Sequence, residues 1–249
     1  MKNAITSGLL QALNIRCVIP VIGILVLVFL SSSEMLIRGI QKSELLPVEF
    51  VNTFFNESLS SDAVVSFLPV LAGLPFSGAY VEDMKVKFTR SILIRCNYIE
   101  YSLSRFLVAF LLGGGTIVLG ALVAWAVAAV IFLPNQLAGE QDFELVSQIS
   151  GRLLLLFCNG GLWSVVGITM STLMESKYIA YASPFITYYS LVILCKYYFP
   201  QALLLYPPRW MNPEPWPFGA WGASTFLMEL VLVFGVLFVH HTGKKLREL

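Results

Sequence analysis

Glu82, Asp83, Lys85, Lys87, Arg90 and Arg95 fall within one stretch of fifteen residues, VEDMKVKFTRSILIR, from Val81 to Arg95. Met84, Phe88 and Ile92 recur every four residues in it, and Glu82–Lys85 and Asp83–Lys87 are three and four apart, so the spacing predicts an amphipathic helix with acids in its first turn and bases beyond. Such a surface suits docking on another protein better than lipid anchoring alone, though anionic headgroups would also attract it. Glu229 stands alone in an apolar run, where an ionised carboxylate costs about 2.5–3.5 kcal/mol on insertion scales, and it is a candidate for a translocation path or a contact with another helix. Asn159, beside Gly160 and Gly161, is a second candidate, able to hydrogen-bond across helices. Catalysis finds little support. His240 and His241 are adjacent and diverge by about 100° on a helix. A Ser224 nucleophile would lie about 24 Å along the same helix from His240, beyond any hydrogen bond. The chain has no G-x-x-x-x-G-K-[ST] phosphate loop, so ATP chemistry would need a separate subunit.

These residues must be positioned by a chain with little else that is polar. Its 249 residues are 57% hydrophobic and 12% charged, with a mean hydropathy of +0.77, too apolar to cover a soluble core. The fold class expected is all-α: a polytopic membrane protein, one transmembrane domain of six helices. Residues 1–16 carry Ile5, Leu9, Leu10 and Leu13 at helical spacing and read as an interfacial helix. Spans are expected near 17–35, 63–80, 106–133, 153–174, 178–194 and 219–239, since about 20 helical residues cross the hydrocarbon core. The span from Phe106 to Leu133 is long enough to require tilt or a break, which the run Gly113, Gly114, Gly115 would mark. Pro69, Pro75 and Pro184 are candidate kinks. Gly120, Ala124 and Ala128 form a small-residue stripe that permits close helix approach. The loops 36–62, 134–152 and 195–218 remain for one face, the last rich in Tyr, Trp and Pro and suited to the headgroup level. The segment 81–105 lies on the other face. The four cysteines have no paired spacing, so neither a disulfide nor a metal site is expected.

Six spans place both termini together, and the bases decide the side. Lys2, Arg16, Lys85, Lys87, Arg90, Arg95, Arg105, Lys177, Lys244, Lys245 and Arg247 lie on the face of the termini; Arg38, Lys42, Arg152, Lys196 and Arg209 lie on the other. The positive-inside rule then makes both termini and the charged stretch cytoplasmic. That rule accounts for each base in the stretch; it leaves Glu82, Asp83 and the apolar stripe unexplained.

The stretch LPFSGAYVEDMKVKFTRSILIR, Leu74 to Arg95, resembles the segment between the second and third spans of type-2 ABC exporter permeases, a bacterial group that includes antibiotic-export and lantibiotic-immunity membrane subunits. The resemblance implies a cell-membrane subunit with an N-terminal interfacial helix and a cytoplasmic coupling helix that docks on a separate ATPase. Glu82, Asp83, Lys85, Lys87, Arg90 and Arg95 would then be the coupling residues. It also implies a second permease copy, or a related permease, and a peptide or amphiphilic substrate such as an antimicrobial peptide or drug. ATP and Mg would be bound by the partner ATPase, with no cofactor and no catalytic residue in this chain. Membrane lipids are expected partners and nucleic acid is not. An ion-coupled secondary carrier or channel using Glu229 is the alternative, although the two halves show no internal repeat.

Overall fold

A computed structural model describes residues 15–41, 46–85, 97–137, 143–212 and 216–247. The expected interfacial helix, up to residue 14, lies outside the described residues, as do Lys87, Phe88, Arg90, Ile92 and Arg95. The described chain is predominantly helical: α1 (Ile15–Ser31), α2 (Ser33–Gln41), α3 (Phe50–Ser60), α4 (Asp62–Gly73), α5 (Ala79–Lys85), α6 (Tyr98–Phe132), α7 (Phe143–Met174), α8 (Lys177–Ile193) and α9 (Ala220–Arg247). Extended pairing among the described residues is confined to an isolated bridge between Leu46 and Gln136. Four helices, α6 to α9, are long and apolar enough to cross a membrane, and a fifth crossing results if the bent pair α1–α2 counts as one. The chain is thus a multi-pass helical membrane protein.

The expected first span bends by 68° between α1 and α2. Ser31 donates to the Val28 carbonyl, and the Ser32 and Ser58 hydroxyls lie 2.6 Å apart in a buried contact. Serines that serve the backbone and a neighbouring helix in this way bend an apolar helix where sequence hydropathy sees one continuous run.

The expected second span is not one helix. The apolar helix α4 has only 12 residues, about 18 Å at 1.5 Å per residue, short of the roughly 30 Å core. The chain then turns through residues 74–78, at Pro75, and resumes as α5. The first loop also holds more order than its polarity suggested. Val51, Phe54, Phe55, Ser58 and Leu59 of α3 are buried, a helical periodicity that packs against α6 through Phe54 and Phe132, whose rings lie 5.4 Å apart.

The third span runs unbroken for 35 residues as α6. Its glycines are places of close approach, not a break. A Cβ on Gly113 would stand 2.8 Å from the Gly160 carbonyl of α7, and one on Gly114 would stand 2.5 Å from the Phe157 carbonyl. Gly115 has open space around it. The stripe that begins at Gly120 is used within the chain, where Gly120 meets the backbone of α1 at Val21. The pair α6 and α7 forms the centre, with α1, α4, α8 and α9 packed around it. The aromatic loop after α8 begins with a π-turn, Leu194–Tyr198, and then folds inward. Trp210 is buried and stacks on Trp163 of α7 at 5.8 Å.

Candidate functional site

Polar side chains gather where α1, α6 and α8 begin and α4, α7 and α9 end, the face that holds both ends of the described chain. The segment between α4 and α6 is fixed there by Ser77. Its hydroxyl donates to the Ser164 carbonyl, and its own carbonyl accepts from the Ser171 hydroxyl. Gly167 lets this turn approach, since a Cβ there would be 2.7 Å from Ser77 Oγ. With the turn held on α7, α5 lies across the end of the bundle.

Three of the predicted coupling residues sit on α5, and two of them, Glu82 and Asp83, are engaged within the chain. Glu82 accepts from the Arg16 guanidinium at 3.0 Å, tying α5 to the start of α1 in a pair that is partly open to solvent. Asp83 is buried and meets Arg105 of α6 at 2.5 Å, with side-chain exposures of only 4% and 5%. Tyr101 Oη also donates to Asp83, at 3.0 Å. The Arg105 guanidinium lies 5.5 Å from the Phe76 ring centroid and 5.3 Å from that of Tyr101, a favourable stacking for a planar cation. Asp83 therefore points into the protein, where it positions α5. Lys85 closes α5.

A third ion pair joins Lys245 of α9 to Glu175 in the turn between α7 and α8, at 2.5 Å. The hydrogen bond from Lys245, and then its charge, holds the Glu175 carboxyl below its usual range. Between these pairs stands Tyr80, 1% exposed, its ring against Tyr101 and Phe238. Burial pushes its phenol up to about 12, so it is a neutral donor at physiological pH. Three ion pairs thus connect α5 and its neighbours to α1, α6 and α9. Of their members, Arg105, Glu175, Lys245 and Arg16 had no assigned role in the sequence reading. Arg105 carried a signal, as a charge just before a long apolar run, where it must reach water or find a partner.

The two membrane candidates are not brought together. Asn159 is buried in α7, at 3% exposure, and its Oδ1 has no hydrogen-bond partner among the described residues. It shares that condition with Ser164 Oγ of α7 and Ser183 Oγ of α8. Glu229 is exposed on the outward face of α9, one turn before Leu232, Val233 and Val236, which are 59%, 57% and 68% exposed. Below it, Leu103 and Phe106 of α6 with Leu232, Gly235, Val236 and Val239 of α9 line an open apolar groove of about 420 Å³.

In comparisons with family models, with curated proteins and with solved structures, none matches this chain.

Proposed function

We infer that the chain is the membrane-spanning permease subunit of an ATP-driven exporter, moving a peptide or amphiphilic molecule outward with energy from a separate cytoplasmic ATPase. The observation that carries this reading is the anchoring of α5. A short helix at the end of the bundle is tied by Glu82 to α1 and by Asp83 to α6, and its preceding turn is tied by Ser77 to α7. A push on such a helix is delivered to three membrane helices at once, which is what a coupling element requires. In this reading six crossings are completed by the bent pair α1–α2 and by α4 with its following turn, and both termini are cytoplasmic. The two acids hold the helix in place, and docking falls to the bases Lys85, Lys87, Arg90 and Arg95.

Glu229 fits a role at the boundary with a second permease copy, because its carboxylate faces away from the chain's own core. The apolar groove below it suits the non-polar part of an amphiphile. Purification of the tagged protein in mild detergent is the direct test. Recovery of a roughly stoichiometric ATPase, and ATP-dependent transport by the pair in proteoliposomes, is the expected result. Absence of any ATPase, together with transport driven by an ion gradient without ATP, overturns the reading in favour of an ion-coupled carrier.

A further inference from the structure

Glu229 is exposed at the centre of α9, ten residues from either end of the expected span 219–239. A carboxyl group at that depth is rarely left facing lipid; such groups turn to protein or a wet cavity and find a polar partner. Among the described residues Glu229 has no hydrogen-bond or ion-pair partner. All sixteen Lys and Arg fall outside the expected spans, so neither this chain nor a copy of it carries a cation at that depth. A copy does carry a carboxyl there. Two carboxyl groups that share a proton are a complementary pair, one donating its O–H and the other accepting.

The carboxyl stands in an outward row. Thr225, Glu229, Leu232, Val236 and His240 are all exposed, spaced four, three, four and four apart, which is the seam along which two membrane helices pack at about 20°. A two-fold axis along the membrane normal sets such a seam against itself, with each residue at the depth of its counterpart, so Glu229 meets Glu229. The same axis closes the apolar groove. At 100° per residue, Val233 and Leu237 lie on one side of the seam, and the groove between α6 and α9 opens on the other. Opposed seams bring the first side of one copy against the second side of its counterpart, so Val233 and Leu237 of the second copy cover the open wall of the groove. We propose that the chain pairs with a second copy of itself along this row, the two Glu229 carboxyls hydrogen-bonded at the axis and the groove enclosed as an apolar slot between the copies. That the slot seats the non-polar part of the transported molecule rests on the permease reading; the pairing rests on Glu229 and its row.

The test uses the full chain in native membranes, its four cysteines replaced by alanine and single cysteines introduced. With a short bifunctional thiol reagent, Leu232→Cys and Val236→Cys are each expected to give a cross-linked dimer of the chain. Leu119→Cys is expected to give none: Leu119 is about as exposed as Leu232, but it lies about 140° around α6 from Phe106, on the side away from the groove. In the otherwise unaltered chain, Glu229→Leu is expected to weaken pairing about three- to thirtyfold, the range for one polar contact between membrane helices, as read by energy transfer between labelled copies diluted in lipid. No dimer at Leu232 and Val236, an equal yield at Leu119, a cross-linked product with the mass of a different protein, or pairing unchanged by Glu229→Leu overturns the proposal. Recovery of an ATPase is read separately: pairing without an ATPase defeats the permease reading alone, and an ATPase without pairing defeats this proposal alone.

Discussion

Removing either member of the Asp83–Arg105 pair leaves a charge stranded in a site where the two side chains are 4% and 5% exposed. Breaking a buried pair from one side typically costs about 3–5 kcal/mol, because the remaining charge keeps its desolvation penalty and loses its partner. For a chain of this length, 1 kcal/mol corresponds to roughly 2–4 °C in melting temperature. Asp83→Leu and Arg105→Met should therefore each lower the midpoint by about 6–20 °C in detergent. The double variant should recover most of that loss, since replacing both charges by apolar groups is often neutral. Tyr101→Phe in the same background removes the phenol donor left without its Asp83 acceptor and should recover a little more. Fluorescence-detected thermal melts of the purified variants measure all four. If the two single losses simply add in the double variant, the pair is not coupled, and the anchoring of α5 on α6 is refuted.

Three further outcomes follow from the same geometry. Gly113→Ala should separate α6 from α7, because its new methyl meets the Gly160 carbonyl, whereas Gly115→Ala, with open space around it, should leave the melt unchanged; equal effects would contradict the packing. The Glu175–Lys245 pair should respond to acid. The folded carboxyl titrates below its unfolded value, so the pair's contribution is complete above the ordinary carboxylate pKa and is lost as pH falls through the lowered one. The difference in melting temperature between wild type and Lys245→Met should therefore vanish at the acid end of a titration, and a constant difference would exclude the pair as its source. Glu229→Leu should leave the fold of the single chain intact, since the carboxylate touches no described partner, while Glu229→Leu and Glu229→Gln should both impair transport in proteoliposomes; unimpaired transport removes Glu229 from any path.

The broad plan of the molecule could be read from hydropathy. Runs of about 20 apolar residues located α6 to α9, because bilayer thickness fixes the length of the apolar part, but α6 and α7 begin well before the expected spans and α9 runs well past its own. What hydropathy missed was set by pairs of residues far apart in the chain. Ser32 finds Ser58, and a run that looks like one span bends. Gly113 finds Gly160, and glycines that look like a break prove to be a contact. The acids of α5 show the same limit. Glu82 and Asp83 lie on α5, the described part of the stretch read as one helix, but helical spacing says nothing of the partner, and the Arg105 that turns Asp83 inward lies 22 residues further on.

Helix α6, at 35 residues, is about 52 Å long, against roughly 30 Å of hydrocarbon. Near one end it grips α5 through Arg105, and at the other Phe132 packs on Phe50 and Phe54 of α3. With no proline and no break along it, α6 is a stiff rod whose two ends report to opposite faces. A tilt of only about 5° would sweep its ends by about 4–5 Å relative to each other, close to the pitch of one helical turn. Any such tilt reaches α3 as far as it moves the charged end, so the two ends of this bundle are geared together by a single helix.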